Sequence, residues 1–453
     1  MRPHISLKPL SERINQSGLF IENVPLSQIL SHAQTPLYVT SLSAVADRIK
    51  SYKEILKSHF QNSNIFYACK ANFAQAILKQ VRQEGVGVDI VSIGEWKAAL
   101  NAGFEAKNIC FAGVGKKECD WKETIVNGIG YINIEHLQEL EDILNFIFQN
   151  KNLHKAIPVI SLRLNPCLEI ETHPHLKTGA LDSKFGILFN QFKEWLLAKK
   201  HDFSQEEFAQ WTSPLKGIHV HIGSQLTAKD IFIHTVKSVF DCAQFMIENK
   251  IFVTHLDLGG GLGISTSGAP QHGEDITEHV NFLCNTVKSQ SVFYPQLLNL
   301  WQNDFSNLFV CLEPGRSVVA SSTIFLTTVL YTKINYTQNV VDTLKECYRF
   351  CVVDGAMNDF PRPSLYGAEH HAELVNFANV EKSTSHTFNW RVVGPVCESG
   401  DFLSKNSHLP CMHKNDIIAF FEAGAYCRSM ASQYNLRPLP NELFVRGSEC
   451  LLF

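Results

Sequence analysis

The chain has 453 residues, 45% hydrophobic and 19% charged, with a formal net charge of −4; that supports two domains with a large core and offers no charged block for nucleic acid or a membrane surface. No apolar run reaches the roughly 20 residues that a spanning helix needs, and the N-terminal Met1-Arg2-Pro3-His4-Ile5-Ser6 lacks the pattern of a secretory leader. Thirteen cysteines, odd in number and without a C-x-x-C pair, argue against a disulfide framework or zinc ribbon and for a reducing cytoplasm.

In the first 44 residues, Pro36-Leu37-Tyr38-Val39-Thr40 reads as a strand. From residue 45 onward, helical stretches alternate with short apolar β-type runs at 65–69, 87–92, 109–112, 130–134, 157–164, 217–222, 253–258 and 308–312. Eight such runs separated by amphipathic segments, such as Gly94-Glu95-Trp96-Lys97-Ala98-Ala99-Leu100, predict a parallel α/β fold and specifically a TIM barrel over residues 45–320. The longest interval, residues 166–214, reads on length alone as a lid, with Thr172-His173-Pro174-His175 as a polar loop or lid element. Beyond residue 320 the pattern changes to Val-, Ile-, Thr- and Phe-rich runs with little helix between them. This predicts a second, mostly β domain made of residues 321–453, with residues 1–44 closing back onto it.

A TIM barrel carries its active site at the C-terminal ends of its strands. The residues predicted there are Lys70, Asp89, Arg163, Asn165, His219, His221, Gly223, Ser224, the run Gly259-Gly260-Gly261-Leu262-Gly263, and Glu313-Pro314-Gly315-Arg316. Lys70 closes a buried run. A lysine there either snorkels out or, held without a partner, loses its proton and becomes the amine that couples to an aldehyde cofactor. The glycine run is either a tight turn or a phosphate cradle after the seventh strand, where barrels often bind phosphate. It is not a dinucleotide fingerprint, because Ile264 stands where G-x-G-x-x-G needs glycine. His219-Val220-His221 admits a zinc reading, since residues at i and i+2 of a strand point the same way, but no further ligand set accompanies it apart from Glu313; a ring-stacking or core histidine is the alternative. Glu313 is a solvated carboxylate or the partner of a pyridine nitrogen that makes the ring an electron sink. In the C-terminal part, Gly394-Pro395-Val396-Cys397-Glu398-Ser399-Gly400-Asp401 is either a glycine-rich turn with solvated charges or a compact reactive loop, in which Glu398 and Asp401 are expected to raise the thiol and so favour a proton donor over a nucleophile.

Taken together, Tyr67-Ala68-Cys69-Lys70-Ala71-Asn72, His221-Ile222-Gly223-Ser224-Gln225, Glu313-Pro314-Gly315-Arg316, Arg362-Pro363-Ser364-Leu365-Tyr366-Gly367, Cys397-Glu398-Ser399-Gly400-Asp401 and Gly424-Ala425-Tyr426 resemble the fold-type III, alanine-racemase-like decarboxylases that use pyridoxal 5'-phosphate, and within them the branch acting on diaminopimelate. The resemblance runs from about Pro36 to the C-terminus. It implies that Lys70 carries the cofactor and that His221 stacks on its ring. Glu313 would pair with the ring nitrogen, with Asp89 as a lesser neighbour. Ser224, Gly260, Gly261, Gly315, Arg316 and Tyr426 would hold the phosphate. It further implies substrate contacts at Arg316, Arg362, Tyr366, Glu398 and Tyr426, with Cys397 returning a proton to the carbon that loses carbon dioxide. Arginine forks suit carboxylates, so Arg316 and Arg362 would grip the end of meso-2,6-diaminopimelate that survives in L-lysine. In this family Cys397 and Glu398 come from the second subunit, so a homodimer with shared active sites is expected. Two positions depart from the pattern: Cys427-Arg428 after Gly424-Ala425-Tyr426, and Cys69 before the lysine.

Three other readings compete. A sibling decarboxylase acting on D-ornithine, D-lysine or another basic amino acid would leave Arg362 without a second carboxylate to meet. A catalytically inactive homologue would have no need of both Lys70 and Cys397. A zinc hydrolase built on His219 and His221 would leave Lys70, the glycine run and Cys397 unused.

Overall fold

A computed structural model of the chain describes residues 4–9, 13, 18–150, 152, 156–167, 183–221, 223, 229–266, 275–336, 347–376 and 387–451. The chain divides into two compact units, one of residues 48–263 and 272–317, the other of residues 1–47, 264–271 and 318–453.

The first unit is a closed barrel. Its eight strands are, in order, Ser63–Ala68, Gly87–Ile90, Ile109–Phe111, Tyr131–Ile134, Val159–Asn165, Leu215–His219, His255–Asp257 and Phe309–Leu312. Every neighbouring pair is parallel, and pairing of the fourth with the fifth and the eighth with the first leaves no open edge. The eight apolar runs of the sequence are these eight strands. The helices between them start where local chemistry caps them: Ser92 Oγ accepts the Glu95 N–H at 3.2 Å ahead of helix Ile93–Asn101, and Ser204 and Glu207 form a capping box on helix Gln205–Trp211.

Side chains two apart on a strand share a face, so each strand adds its inward residues in steps. The lowest step is aromatic. Tyr131, His255 and Phe309 stack at 4.8–5.9 Å between ring centroids, and Phe66 meets Tyr131 edge-on at 4.9 Å. Burial, with His219 nearby, holds the His255 imidazole down to about 3, so it is a neutral ring in this layer. Two residues further along the same strands stand Asn133, Asp257 and Cys311, then Glu135 and Glu313. The barrel is thus dry below and polar towards the strand ends.

The second unit is a β structure assembled from both ends of the chain. Strand Leu37–Ser41 lies between Thr323–Tyr336, its antiparallel neighbour, and Asn441–Arg446, its parallel one. Cys347–Val353, Phe388–Val393 and Phe402–Leu409 extend the sheet, and Ala372–Asn376 joins through Ile417–Phe420. Alternation assigns the two faces. Tyr38 and Phe325, opposite each other with rings 4.7 Å apart, belong to one core, whereas Leu37, Val39, Ile324 and Leu326 belong to another. Residues Ile264–Thr266 pack with this unit: the His371 N–H donates to the Thr266 carbonyl at 2.7 Å.

The interval 166–214 differs from its expectation. Its later part holds a short strand, Ile187–Leu188, paired to the end of the fifth barrel strand, followed by helices Phe189–Lys200 and Gln205–Trp211. That part is the ordinary crossover between parallel strands, not a lid; Thr172-His173-Pro174-His175 lies outside the described residues. Among the described residues no helix is long and apolar enough to cross a membrane.

Candidate active site

The first barrel strand stops at Ala68, and Lys70 stands on the short turn Cys69–Ala71 that follows it. Its Nζ lies 3.5 Å from Asp89 Oδ2, with the lysine side chain 38% exposed and the aspartate side chain fully buried. Lys70 is therefore not the partnerless buried amine of the sequence reading; it reaches the mouth of the barrel beside a carboxyl group. Burial first, then the nearby Glu313, pushes that Asp89 carboxyl well above its ordinary range.

Glu313 follows the eighth strand, and its backbone N–H donates to the Gly259 carbonyl at 2.7 Å. Burial alone would raise its carboxyl, but the adjacent His219 ring, and then Lys70 and His221, outweigh it and hold Glu313 well below the usual carboxylate range. Asn133 Nδ2 donates to Oε1 at 3.0 Å, and His219 Nε2 lies 3.2 Å from Oε2. The result is a buried carboxylate anion at the centre of the barrel. His221, just past the sixth strand, accepts the Gly260 N–H on Nδ1 at 3.1 Å. Burial, with Lys70 and Arg163 nearby, keeps its imidazole well below the ordinary range, which leaves a neutral ring at the strand ends. His219 and His221 thus have separate partners, a carboxylate and a backbone amide, and do not converge on one point as the zinc reading requires.

The glycines are close-approach residues. A Cβ on Gly260 would lie 2.3 Å from the Glu313 carbonyl oxygen, and Gly259 and Gly261 have φ of 67° and 121°. Gly315 sits against the methyl carbons of Ala68 and Ala71, which an added Cβ would meet at 3.0 and 3.2 Å. The next residue, Arg316, is half-buried and opens a short helix whose Ser317 is anchored by Arg48 and Tyr52. Ser224 lies outside the described residues.

Two other strand-end residues are structural. Arg163 pairs with buried Glu135 and lies 4.7 Å above the Phe185 ring. Asn165 accepts the Cys167 N–H and donates to the Phe185 carbonyl.

The β unit carries the remaining candidates. Arg362 opens the short helix Arg362–Tyr366; it is buried, with Nη1 3.0 Å from His370 Nε2. Ser364 Oγ donates to the Gly400 carbonyl at 2.7 Å, tying this helix to the loop that presents Cys397 and Glu398. Both of those are exposed, and Tyr434 donates its hydroxyl to Glu398 Oε1 at 2.5 Å. Asp401, expected to raise the thiol, is turned inward instead: its two oxygens accept the Met357 and Val396 N–H groups, so it braces the loop. Tyr366 is exposed, and Tyr426 sits half-buried with a φ of 58°. Of the two departures from the family pattern, Cys427 is buried in the β core and Arg428 is committed to the Pro440 carbonyl and Glu442. Both are structural, as is the buried Cys69.

Sequence reading missed Asn133, Asp257 and Tyr434. For the first two a signal existed: each is a polar residue inside an apolar parallel strand, on the face that points into the barrel.

An amine at a barrel mouth, a buried anion opposite it, a neutral imidazole and a bare glycine run define the barrel of a pyridoxal phosphate enzyme. The donor set fits that group: an amine for its aldehyde, an anion for a protonated ring nitrogen, a backbone left open by glycine for its phosphate. The sequence profile described as pyridoxal-dependent decarboxylase, pyridoxal binding domain, matches residues 42–320, and the chain belongs to this family of pyridoxal-dependent decarboxylases. It is similar to the diaminopimelate decarboxylase of Zymomonas mobilis, 32% identical over 441 residues, covering 97% of this chain and 94% of that one. It is also similar to that of Helicobacter pylori, 36% identical over 412 residues and covering 90% of each. The crystal structure of diaminopimelate decarboxylase from Helicobacter pylori complexed with L-lysine superposes with a TM-score of 0.76 at 32% identity, over 94% of this chain and 95% of that one.

Proposed function

We propose that this protein decarboxylates meso-2,6-diaminopimelate to L-lysine and carbon dioxide, the last step of lysine biosynthesis. The observation that carries the reading is kinship to diaminopimelate decarboxylases along nearly the whole chain. A buried Arg362 beside His370 supports it, because a substrate with a second carboxylate gives that guanidinium a partner.

Lys70 would hold pyridoxal phosphate through its amine, His221 would lie against its ring, and Glu313 would keep its ring nitrogen protonated. Gly260, Gly261, Gly315 and Arg316, with Ser224 and Tyr426, would bind its phosphate. When bound, pyridoxal phosphate supplies an electron sink for the pair released as the carbon–carboxylate bond breaks. Arg316 and Arg362 are the proposed contacts of the carboxylate that stays, and Tyr366 and Tyr426 are further proposed substrate contacts. Glu398 meets the distal ammonium, its carboxylate steadied by the Tyr434 hydroxyl. Cys397 gives its thiol proton to the carbon that has lost carbon dioxide.

Cys397 and Glu398 serve the partner's site in a homodimer. Leu365 and Tyr366 are 58% and 54% exposed, and Leu436 is 95% exposed two residues after Tyr434. Large apolar side chains bare around the Cys397 loop suit a surface that a second copy covers. All thirteen cysteines are free thiols, which supports a reducing, cytoplasmic setting.

The test is lysine release from meso-diaminopimelate by purified protein with pyridoxal phosphate, run beside D-ornithine and D-lysine. Turnover of diaminopimelate alone is expected. Turnover only of the monocarboxylic substrates would overturn the assignment of Arg362, and a protein that binds the cofactor without any turnover would be a binding homologue.

A further inference from the structure

The barrel interior holds more ionisable groups than the proposed chemistry uses. Asp89, Asp257 and Glu313 are all buried, and His219, Asp257 and Glu313 bring ligand-type atoms within 4.8 Å of one another. Neighbouring buried carboxyls cannot all carry charge, so the donors decide which one does. Glu313 has a nitrogen close to each oxygen: Asn133 Nδ2 donates to Oε1 at 3.0 Å, and His219 Nε2 stands at ion-pair distance, 3.2 Å, from Oε2. Asp257 takes the Gly259 N–H at 2.8 Å and only a long 3.5 Å contact from the same Asn133 amide. Asp89 has Lys70 at 3.5 Å.

The donors are themselves held. The Asn133 backbone carbonyl accepts Lys116 Nζ at 2.7 Å, which fixes the strand that carries the amide, and that lysine, its side chain 1% exposed, pairs with Glu139 at 2.9 Å. His219 is 1% exposed and ends a strand paired on both sides, opposite Arg163 and Asp257.

We infer that His219 and Asn133 form a two-sided clamp that keeps Glu313 ionised and oriented towards the cofactor's ring nitrogen, which makes both of them positioning residues for the decarboxylation. The inference rests on the role given to Glu313 above. Asn133 engages one lone pair of Oε1 and the His219 imidazole faces Oε2, which leaves lone pairs on the carboxylate for a pyridinium N–H. Without the clamp the buried carboxyl takes up a proton and no longer favours a protonated ring nitrogen. The clamp acts through Glu313, so its loss is felt by the cofactor before any substrate is added.

The experiment uses purified holoenzyme and reads the dissociation constant of pyridoxal phosphate and the position of its absorbance band. His219→Phe keeps a ring and removes the donor; Asn133→Leu removes the other donor; His219→Gln keeps an N–H. The two donor-less variants should each bind the cofactor on the order of ten-fold more weakly, with a displaced band, and His219→Gln should restore most of the affinity. In a Glu313→Gln background, His219→Phe should add less than about two-fold, because nothing remains to be clamped. A parental constant and band in His219→Phe, or full additivity with Glu313→Gln, would overturn the clamp. So would a stoichiometric metal ion in the parent protein, since the trio would then be a ligand set. Should His219→Phe not fold, Asn133→Leu alone and combined with Glu313→Gln carries the same expectations. Lysine release separates the two claims: a parent that turns over diaminopimelate beside an unperturbed His219→Phe loses only the clamp, whereas a parent that binds no pyridoxal phosphate loses the role of Glu313 as well.

Discussion

Replacing Gly260 by alanine tests the glycine cradle with a single methyl group. The new Cβ would stand 2.3 Å from the Glu313 carbonyl oxygen, whereas non-bonded heavy atoms settle at about 3.5 Å. One backbone or the other must therefore retreat by about 1 Å. Neither can do so alone. The Gly260 N–H is bonded to His221 at 3.1 Å and the Glu313 N–H to the Gly259 carbonyl at 2.7 Å. The stacking imidazole and the ring-nitrogen carboxylate thus move with the cradle. A misplacement of about 1 Å near a reacting centre costs on the order of 100-fold in rate, and Gly260→Ala should lower kcat/KM for lysine release by about that factor. The variant should also shed pyridoxal phosphate on gel filtration. Gly94→Ala is the control: in helix Ile93–Asn101 its nearest neighbour is Ser92 Oγ at 3.6 Å, so it should leave the rate unchanged and stabilise the protein by about 0.5–1 kcal/mol. A Gly260→Ala protein with parental rate and cofactor retention would refute the close-approach argument.

Lys70→Ala should abolish both turnover and the yellow absorbance of bound cofactor; a variant that stayed yellow and active would remove Lys70 from the mechanism. Cys397→Ala should retain cofactor and lose most turnover, and a parental rate would exclude the thiol as proton donor. Arg362→Leu should lower kcat/KM for diaminopimelate by at least about 30-fold, the effect of removing one partner of a buried charge pair, while changing D-lysine kinetics little; equal losses on both substrates would contradict its assignment. Burial pushes the Asp359 carboxyl up to about 6, against the opposing Ala356 N–H bond. It takes up a proton more readily folded than unfolded, so its contribution to stability is present in acid and is lost as pH rises through about 6. The Tm of Asp359→Asn relative to the parent should therefore increase from about pH 4 to about pH 7, and parallel profiles would refute the shift.

The barrel was legible because strands buried on both faces read as continuous apolar runs, and each run ended in glycine or a polar residue. Their ends were overrun where apolar residues continue past the strand, as at Val91 beyond Ile90. In the β unit, Phe402–Leu409 reads Phe-Leu-Ser-Lys-Asn-Ser-His-Leu and went unnoticed. It is an edge strand whose middle faces water, so the run of apolar residues that marks a buried strand is missing. Lys70 and Glu313 stood out as charges at the ends of apolar runs. Asp89 and His219 were legible as strand-end residues, but their contacts were not: Asp89 meets Lys70 from a different strand, and the Asn133 and His219 contacts to Glu313 join three strands that are distant in sequence. Asp401 misled for the opposite reason. Its place beside Cys397 in the chain says nothing about direction, and two backbone amides draw it inward.

The strand Leu37–Ser41, set between two partners that both follow the barrel in the chain, fixes an order of events during synthesis. The barrel's eight strands have all left the ribosome once Phe309–Leu312 has emerged, and the barrel can then close on local β–α contacts. Leu37–Ser41, by contrast, precedes the barrel and waits through the synthesis of the barrel and the intervening β strands for Asn441–Arg446. Until then an apolar segment buried on both faces in the finished protein has at most one neighbour, and such an unpaired edge is the kind that invites association between nascent chains. Chaperone dependence should therefore be greatest for chains stalled between these two stages.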